Sequence, residues 1–327
     1  MIISRTPFRI SFFGGGTDYK TWAHKHGGAV LSTSFDKYSY ITCRELPPFF
    51  DHKYRLTYSI VEHPKTLEDI RHPAIRAVLK EMNLTNGLEI HCDADLPARS
   101  GLGSSSSFVV GLLHALYACK GKRVSQEFLA QEAIRIEQDV LCENVGSQDQ
   151  IAAAVGGFNI IKFLPGGGFK VEPLVLPKVR RQLLNDHLML FFTGFSRIAS
   201  QVAKSQIDNI DSKTKELTQM RKMVDNALDI LYDERPITQF GELLHDGWML
   251  KRSLSDQVSN PAIDTLYENA RRAGSIGGKL LGAGGGGFML LFVPPEKQAQ
   301  VRKVMADLIH VPFAFESTGS SIVYFRV

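Results

Sequence analysis

The stretch from residue 88 to 118 restricts the possible folds of this chain more than any other. In "LEIHCDADL", Leu88, Ile90, Cys92, Ala94 and Leu96 alternate with Glu89, His91, Asp93 and Asp95, the period of a strand with one buried face. "PARSGLGSSSS" follows at 97–107, and then "FVVGLLHALYA" at 108–118, apolar nearly all round and so a buried helix. A Gly/Ser loop therefore joins a strand to a helix N-terminus, where backbone N–H groups lack intrahelical partners. Gly101 and Gly103 permit positive φ and let a ligand approach the backbone. The hydroxyls of Ser104, Ser105, Ser106 and Ser107 can cap the helix, bind phosphate oxygens or reach a metal ion, and the helix dipole favours an anion. Two readings stand at this point: an anion cradle, or a capped turn with surplus serines. A Walker-type loop is excluded, because no stretch fits Gly-x-x-x-x-Gly-Lys-Ser/Thr.

The rest of the chain mixes strands and helices. "RTPFRISFFGGGTDY" reads as a strand breaking into a Gly-rich turn, and "YSYITCREL" as another strand. The stretch 64–72 reads as loop and 74–82 as a short amphipathic helix. Ser125 is placed to cap a long helix through about Glu143, and a short helix follows Ser147. "VGGFNIIKF" returns as strand. Residues 164–179 hold three Gly and three Pro, either a connection between halves or a hairpin with its flank. After a strand at 187–194, the pattern is helical from 197 to 274, with breaks near Asp211, Pro236 and Pro261. A strand at 288–293, a helix from Pro295, and strands near 311–316 and 321–326 end the pattern. No repeat is visible, and the order is that of an α+β protein in two halves.

Bulk properties exclude several classes. A net charge of +4 with no basic stripe suits a small anionic ligand and argues against nucleic acid. Cys43, Cys92, Cys119 and Cys142 are widely spaced, which argues against zinc or a disulfide framework and points to the cytoplasm. The N-terminal residues lack the apolar core of a signal peptide, and the apolar run "FMLLFV" is too short to span a bilayer, so no membrane role is expected.

Single residues carry chemistry of varying weight. Glu137 falls within an apolar helical stripe with Ala133, Val140 and Leu141, so it is a buried ion pair, a side chain snorkelling at the end of the stripe, or a metal or site carboxylate. Ser147 can cap a helix whose first turn holds Asp149, where complementing the helix dipole would suffice to explain the carboxylate. Arg9 and Asp18 flank the first Gly turn. "GAGGGG" at 282–287 matches Gly-x-Gly-x-x-Gly but runs into a strand, which is the wrong context for a dinucleotide. The histidines form no metal-binding or triad spacing.

Together, these stretches resemble the GHMP small-molecule kinases. The first motif of that family looks like "TPFRISFFGGGTDY", the central phosphate loop like "PARSGLGSSSS", and the C-terminal Gly-rich motif like "KLLGAGGGGFMLLF", in order over residues 6 to 290. The resemblance implies a ribosomal-S5-like N-terminal half and a ferredoxin-like C-terminal half with helical additions, divided as 1–180 and 181–327. It implies that ATP lies on Pro97, Arg99, Ser100, Gly101, Leu102, Gly103 and Ser104 to Ser107. It implies Mg2+ held by Ser105 and Glu137, and a catalytic pair of Asp149, in "SQDQ" where galactokinases have "MDQ", and Arg9. Substrate contacts fall on Gly14, Gly15, Gly16, Thr17, Asp18, Tyr19, Lys279, Gly284 and Gly285.

Galactokinases carry Glu-His where this chain has Gly15 and Gly16, so galactose is disfavoured. The "GGGTD" variant and the C-terminal sequence look like the heptose-7-phosphate kinase branch. The expected activity is therefore ATP-dependent phosphorylation of the anomeric oxygen of D-glycero-D-manno-heptose 7-phosphate, by a monomer or homodimer. Lys251, Arg252, Lys279 and Arg99 are candidates for the substrate phosphate. A kinase for a neutral sugar such as fucose or galactose is the alternative. The set Arg9, Ser105, Glu137 and Asp149 argues against a silent ligand sensor on the same fold.

Overall fold

The computed structural model describes residues 1–194, 199–233 and 235–326. Its strands are β1 (Ile2–Phe13), β2 (Gly28–Glu45), β3 (Tyr54–Thr57), β4 (Val61–Glu62), β5 (Leu88–Ala94), β6 (Phe158–Phe163), β7 (Phe169–Pro173), β8 (Leu188–Phe192), β9 (Gly277–Leu280), β10 (Phe288–Phe292), β11 (Ile309–His310), β12 (Phe315–Glu316) and β13 (Ser321–Phe325). Its α-helices are α1 (Lys20–His26), α2 (Pro73–Glu81), α3 (Ser104–Cys119), α4 (Gln126–Ile134), α5 (Gln148–Val155), α6 (Lys178–Asp186), α7 (Ala199–Asp208), α8 (Thr214–Tyr232), α9 (Thr238–Arg252), α10 (Pro261–Arg272) and α11 (Gln298–Val304). The start of the helical region expected at 197 lies partly outside the described residues.

Long β1 and β2 form the spine of the larger sheet, antiparallel from Ile2↔Cys43 to Phe13↔Leu31. The first half of β2 pairs with β6 and its second half with β5, so one strand serves two neighbours. Residues 28–37, ahead of the expected "YSYITCREL", are part of this strand; their Ser, Thr and Gly content weakens the periodic signal. β7 pairs antiparallel with β6, so the 164–179 segment contains a hairpin. β12 and β13 come from the far end of the chain and pair with β2 and β1.

The smaller sheet has the order β11-β8-β10-β9, antiparallel throughout. With the intervening helices this is βαββαβ with strand order 4-1-3-2, the ferredoxin-like half. β10 is buried along its whole length, and its two faces enter different cores. Phe288, Leu290 and Phe292 pack with Phe8, Phe12 and Leu31 of the larger sheet, while Met289 and Leu291 pack with Trp248 and Tyr267 of the helices. An uninterrupted apolar strand is what burial on both faces requires. Phe12 and Phe240 meet edge to face at 5.4 Å in the core shared by both halves. At about 25 cal/mol per Å² of apolar surface, this shared core is the main term that fixes one half against the other.

One helix departs from expectation. α4 ends at Ile134 and continues as a π-helical segment, Arg135–Val140, instead of running to Glu143 as a regular helix. The wider turn is visible in the bond from Leu141 N to Ile136 O, 2.9 Å. Its effect is to change which residues share a face: Ile136 and Glu137 are buried, while Val140 and Leu141 are only half-buried.

Candidate active site

The site lies where the turn after β1, the loop before α3 and the start of α5 meet. Residues of β1 alternate, so Arg9 and Ser11 share one face, and a bulge between Ser11 and Phe13 turns the strand into the Gly14–Gly16 turn. Gly14 has φ +83°, and a Cβ there would stand 1.8 Å from Ala29 O, so only glycine fits. The Arg9 guanidinium, 4% exposed, donates to both carboxylate oxygens of Asp149, from Nε to Oδ1 at 2.7 Å and from Nη2 to Oδ2 at 2.8 Å. Its third donor, Nη1, reaches Gly101 O at 2.7 Å. One side chain thus ties the catalytic candidate to the Gly/Ser loop.

The helix behind that loop has an open N-terminus. The residue before α3 is Gly103, left-handed at φ 75°, and no side chain caps the helix. The capped-turn reading therefore fails. The serines do other work: Ser104 Oγ accepts from Arg99 N at 3.1 Å, and Ser107 Oγ donates to Pro7 O at 2.9 Å. Arg99 has φ +58°, an unusual conformation for a residue with a side chain, and its side chain is exposed at the loop. Ser100 Oγ donates to Pro97 O at 2.6 Å, closing the turn ahead of Gly101. Leu102 is fully buried and its carbonyl accepts from Arg9 N.

Glycines in two loops allow backbone to meet backbone. A Cβ on Gly282 would lie 2.4 Å from Gly101 Cα, and one on Gly287 would lie 2.3 Å from Ser100 O. The 282–287 stretch is the connection between paired strands β9 and β10, consistent with the exclusion of a dinucleotide site. Gly284 and Gly285 fit against Val258, with Gly285 N donating to its carbonyl at 3.0 Å.

Glu137 is fully buried, and its Oε2 accepts from Ser106 Oγ at 2.8 Å and from Gln150 Nε2. Its Oε1 has no partner among the described residues. Among the described residues no cation is paired with it, and the buried ion-pair reading finds no partner there. Burial above all pushes its carboxyl up to about 8. The serine that meets Glu137 is Ser106; Ser105 is exposed one position earlier in the helix. Among the described residues, no group of three or more His, Cys, Asp or Glu is placed to hold a metal ion.

Asp18 is 2% exposed and tethers the first Gly turn to α5, accepting from Gly16 N at 2.9 Å and Gln148 N at 3.3 Å. Burial, then the nearby Asp149, raises its pKa. The expected Ser147 cap is absent; Asp18 takes over that work at the start of α5. Thr17 spends its hydroxyl on Gly14 O at 2.7 Å, and the Tyr19 ring packs with Trp22 and Leu217. These two build the turn.

Two lysines are buried behind the site with backbone carbonyls as partners. Lys251 Nζ donates to Leu280 O at 2.8 Å and to Gly282 O, and Lys279 Nζ donates to Phe12 O at 2.8 Å. Burial, then Arg9, lowers Lys279 to about 7. Burial, then Lys279 and Arg9, lowers Lys251 as well. Arg252 points elsewhere and pairs with Asp264 at 2.9 Å. Sequence reading missed Gln150, whose signal is a lone amide in the apolar run "QIAAAV", and gave no weight to Ser11 or Gln148.

The chain matches the GHMP kinases N terminal domain over residues 69–157 and the GHMP kinases C terminal domain over residues 226–309. A D-glycero-alpha-D-manno-heptose 7-phosphate kinase of Campylobacter jejuni is 29% identical, over 93% of each chain. A bifunctional fucokinase/GDP-fucose pyrophosphorylase of Arabidopsis thaliana is 28% identical over 90% of this chain, which spans 30% of that longer protein. Among solved structures, a D-glycero-D-manno-heptose 1-phosphate kinase from Bacteroides thetaiotaomicron superposes with a TM-score of 0.82 at 23% identity over all of both chains. Both family domains, in order and on the fold just described, cover more than half of the chain, and the chain belongs to the GHMP kinase family, as an ATP-dependent sugar kinase.

Proposed function

We propose that the chain phosphorylates the anomeric oxygen of D-glycero-D-manno-heptose 7-phosphate, forming the 1,7-bisphosphate for nucleotide-activated heptose. The observation that supports the phosphoryl-transfer part of this reading is the two-point contact between Arg9 and Asp149, anchored to Gly101 of the open helix N-terminus. ATP phosphates would lie on Gly101 to Ser107, where unpaired N–H groups and the dipole of α3 favour an anion. Asp149 would accept or orient the proton of the attacking hydroxyl, and Arg9 would offset charge on the transferring group. The acceptor is supported by a relative, similar over 93% of its length, that is named for this heptose phosphate.

Mg2+ fits the donors: one buried carboxylate with an oxygen left without a partner, and serine hydroxyls beside it, is the sparse protein set this ion takes when phosphates and water complete its shell. Glu137 and Ser105, or Ser106, which already meets Glu137, would hold it. When bound, it would neutralise charge on the β- and γ-phosphates. Lys279 and Lys251, which burial pushes toward the neutral amine, would line the acceptor side through their carbonyl-bound Nζ atoms, and exposed Arg99 would be the cation offered to a phosphate at the loop. The division 1–180 and 181–327, a cytoplasmic location supported by four free cysteines, and a monomer or homodimer belong to the same proposal.

Phosphorus NMR of the reaction mixture tests the reading. It expects the substrate's 7-phosphate signal to persist while a new anomeric phosphate ester appears. A product with phosphate on any other oxygen would overturn the position assigned to the acceptor.

A further inference from the structure

Two side chains beside the Arg9–Asp149 pair each keep a polar atom unpaired among the described residues. Among the described residues, Ser11 Oγ is buried without a partner, on a residue 6% exposed, and Gln148 Oε1 is buried without a partner as well. Both belong to residues next to catalytic candidates. Ser11 follows Arg9 on the same face of β1, and Gln148 precedes Asp149 at the start of α5. Both also border one spot, the missing side chain of Gly15. A Cβ there would be 3.5 Å from Gln148 Nε2 and 3.7 Å from Ser11 Oγ, with nothing nearer.

Buried polar atoms in folded proteins are almost always hydrogen-bonded, so unpaired ones call for a specific reason. Thr17 Oγ1, Asp18 and the Gln148 backbone N–H are all paired within the protein. Ser11 meets the space at Gly15 with its unpaired Oγ, and Gln148 meets it with Nε2 of the carboxamide whose Oε1 is unpaired. A hydroxyl both donates and accepts, and so does a carboxamide taken as a whole, so the two groups match a hydroxylated ligand better than a carboxylate or a cation.

We infer that Ser11 and Gln148 seat a hydroxyl of the acceptor other than the one that is phosphorylated, in the space that Gly15 leaves open. The inference rests on the sugar-kinase reading and adds the residues that recognise the acceptor. Binding of a polyol pairs atoms that the free protein leaves unpaired, and an acceptor without the matching hydroxyl leaves them unpaired again. Such a site discriminates strongly, because the wrong ligand pays for the unmet hydrogen bonds. Gly15 contributes by absence, since any side chain there would occupy the ligand's place.

The test uses the full chain with Ser11→Ala and Gln148→Leu. Heptose 7-phosphate, mannose, galactose and fucose are assayed with Mg-ATP, and the sugar that the wild type turns over fastest is carried forward. The expected result for Gln148→Leu is a rise of about tenfold or more in KM for that sugar, with a smaller rise for Ser11→Ala. KM for ATP should stay within about twofold, and the melting temperature of the ligand-free protein should hold or rise, because the removed atoms were unpaired. Unchanged sugar KM in both variants, while the wild type turns sugar over, overturns the inference and leaves the sugar-kinase reading standing. A lowered melting temperature with equal losses for sugar and ATP also overturns it, by showing a structural role. No turnover by the wild type on any of the four sugars removes the sugar reading, and the inference with it.

Discussion

Arg9 and Asp149 hold each other through two parallel hydrogen bonds, at 2.7 and 2.8 Å, 140 residues apart in the chain. A planar fork on a carboxylate fixes both position and rotation, which a single-point contact cannot do. Asp149 stays 24% exposed while Arg9 is almost fully buried, so the carboxylate presents a face to ligand and the arginine holds it from behind.

Substitutions in this pair separate charge from geometry. Asp149→Asn keeps the shape and removes the acceptor charge, and should lower kcat about 100- to 10,000-fold while ATP still binds. Arg9→Lys keeps the charge and loses the fork and the tie to Gly101 O. Its kcat should fall by about tenfold or more, with KM for ATP rising as well. Steady-state kinetics with calorimetric ATP binding checks both, and an Arg9→Lys enzyme with wild-type constants would show that the fork is dispensable.

The contact between the two Gly-rich loops makes a second prediction. Gly282→Ala places a methyl 2.4 Å from Gly101 Cα at φ +70°, so backbone must move. Strain of this kind costs about 1–3 kcal/mol. Because the partner is the phosphate-loop candidate, ATP affinity should fall together with thermal stability. Gly121→Ala is the control: its φ is also positive, at +65°, but nothing lies within 4 Å. It should lose some stability and no ATP affinity.

Glu137 predicts a pH dependence in metal-free buffer. Its folded-state pKa is raised to about 8 from 4.5. Between those values the folded protein binds more protons than the unfolded chain, so the stabilising contribution is full below pH 4.5 and is lost as pH rises through 8. Thermal melts should show Glu137→Gln gaining on the wild type as pH increases from 5 to 9. Parallel pH profiles for the two proteins would contradict burial of an uncompensated carboxyl.

Much of this was legible in the sequence where local period and context agreed. The buried α3, the Gly/Ser loop before it, and "FMLLF" as a strand all follow from apolar pattern and length. Other features depend on partners distant in sequence. Which serine of α3 meets Glu137 depends on how two segments distant in sequence pack, and the π-helical turn at Arg135–Val140 moves Val140 and Leu141 off the buried face that a regular wheel gives them. Ser147 has the composition of a cap, yet Asp18, from the far side of the fold, takes that work. The return of β12 and β13 to the first sheet is topology, and no period of two reports which sheet a strand joins.

The most direct measurement is ADP release with Mg-ATP over heptose 7-phosphate, mannose, galactose and fucose, for the wild type and Asp149→Asn. The account predicts fast turnover on heptose 7-phosphate, little on the three neutral sugars, and near-complete loss in the variant. Turnover confined to unphosphorylated sugars, or full activity in Asp149→Asn, would contradict it.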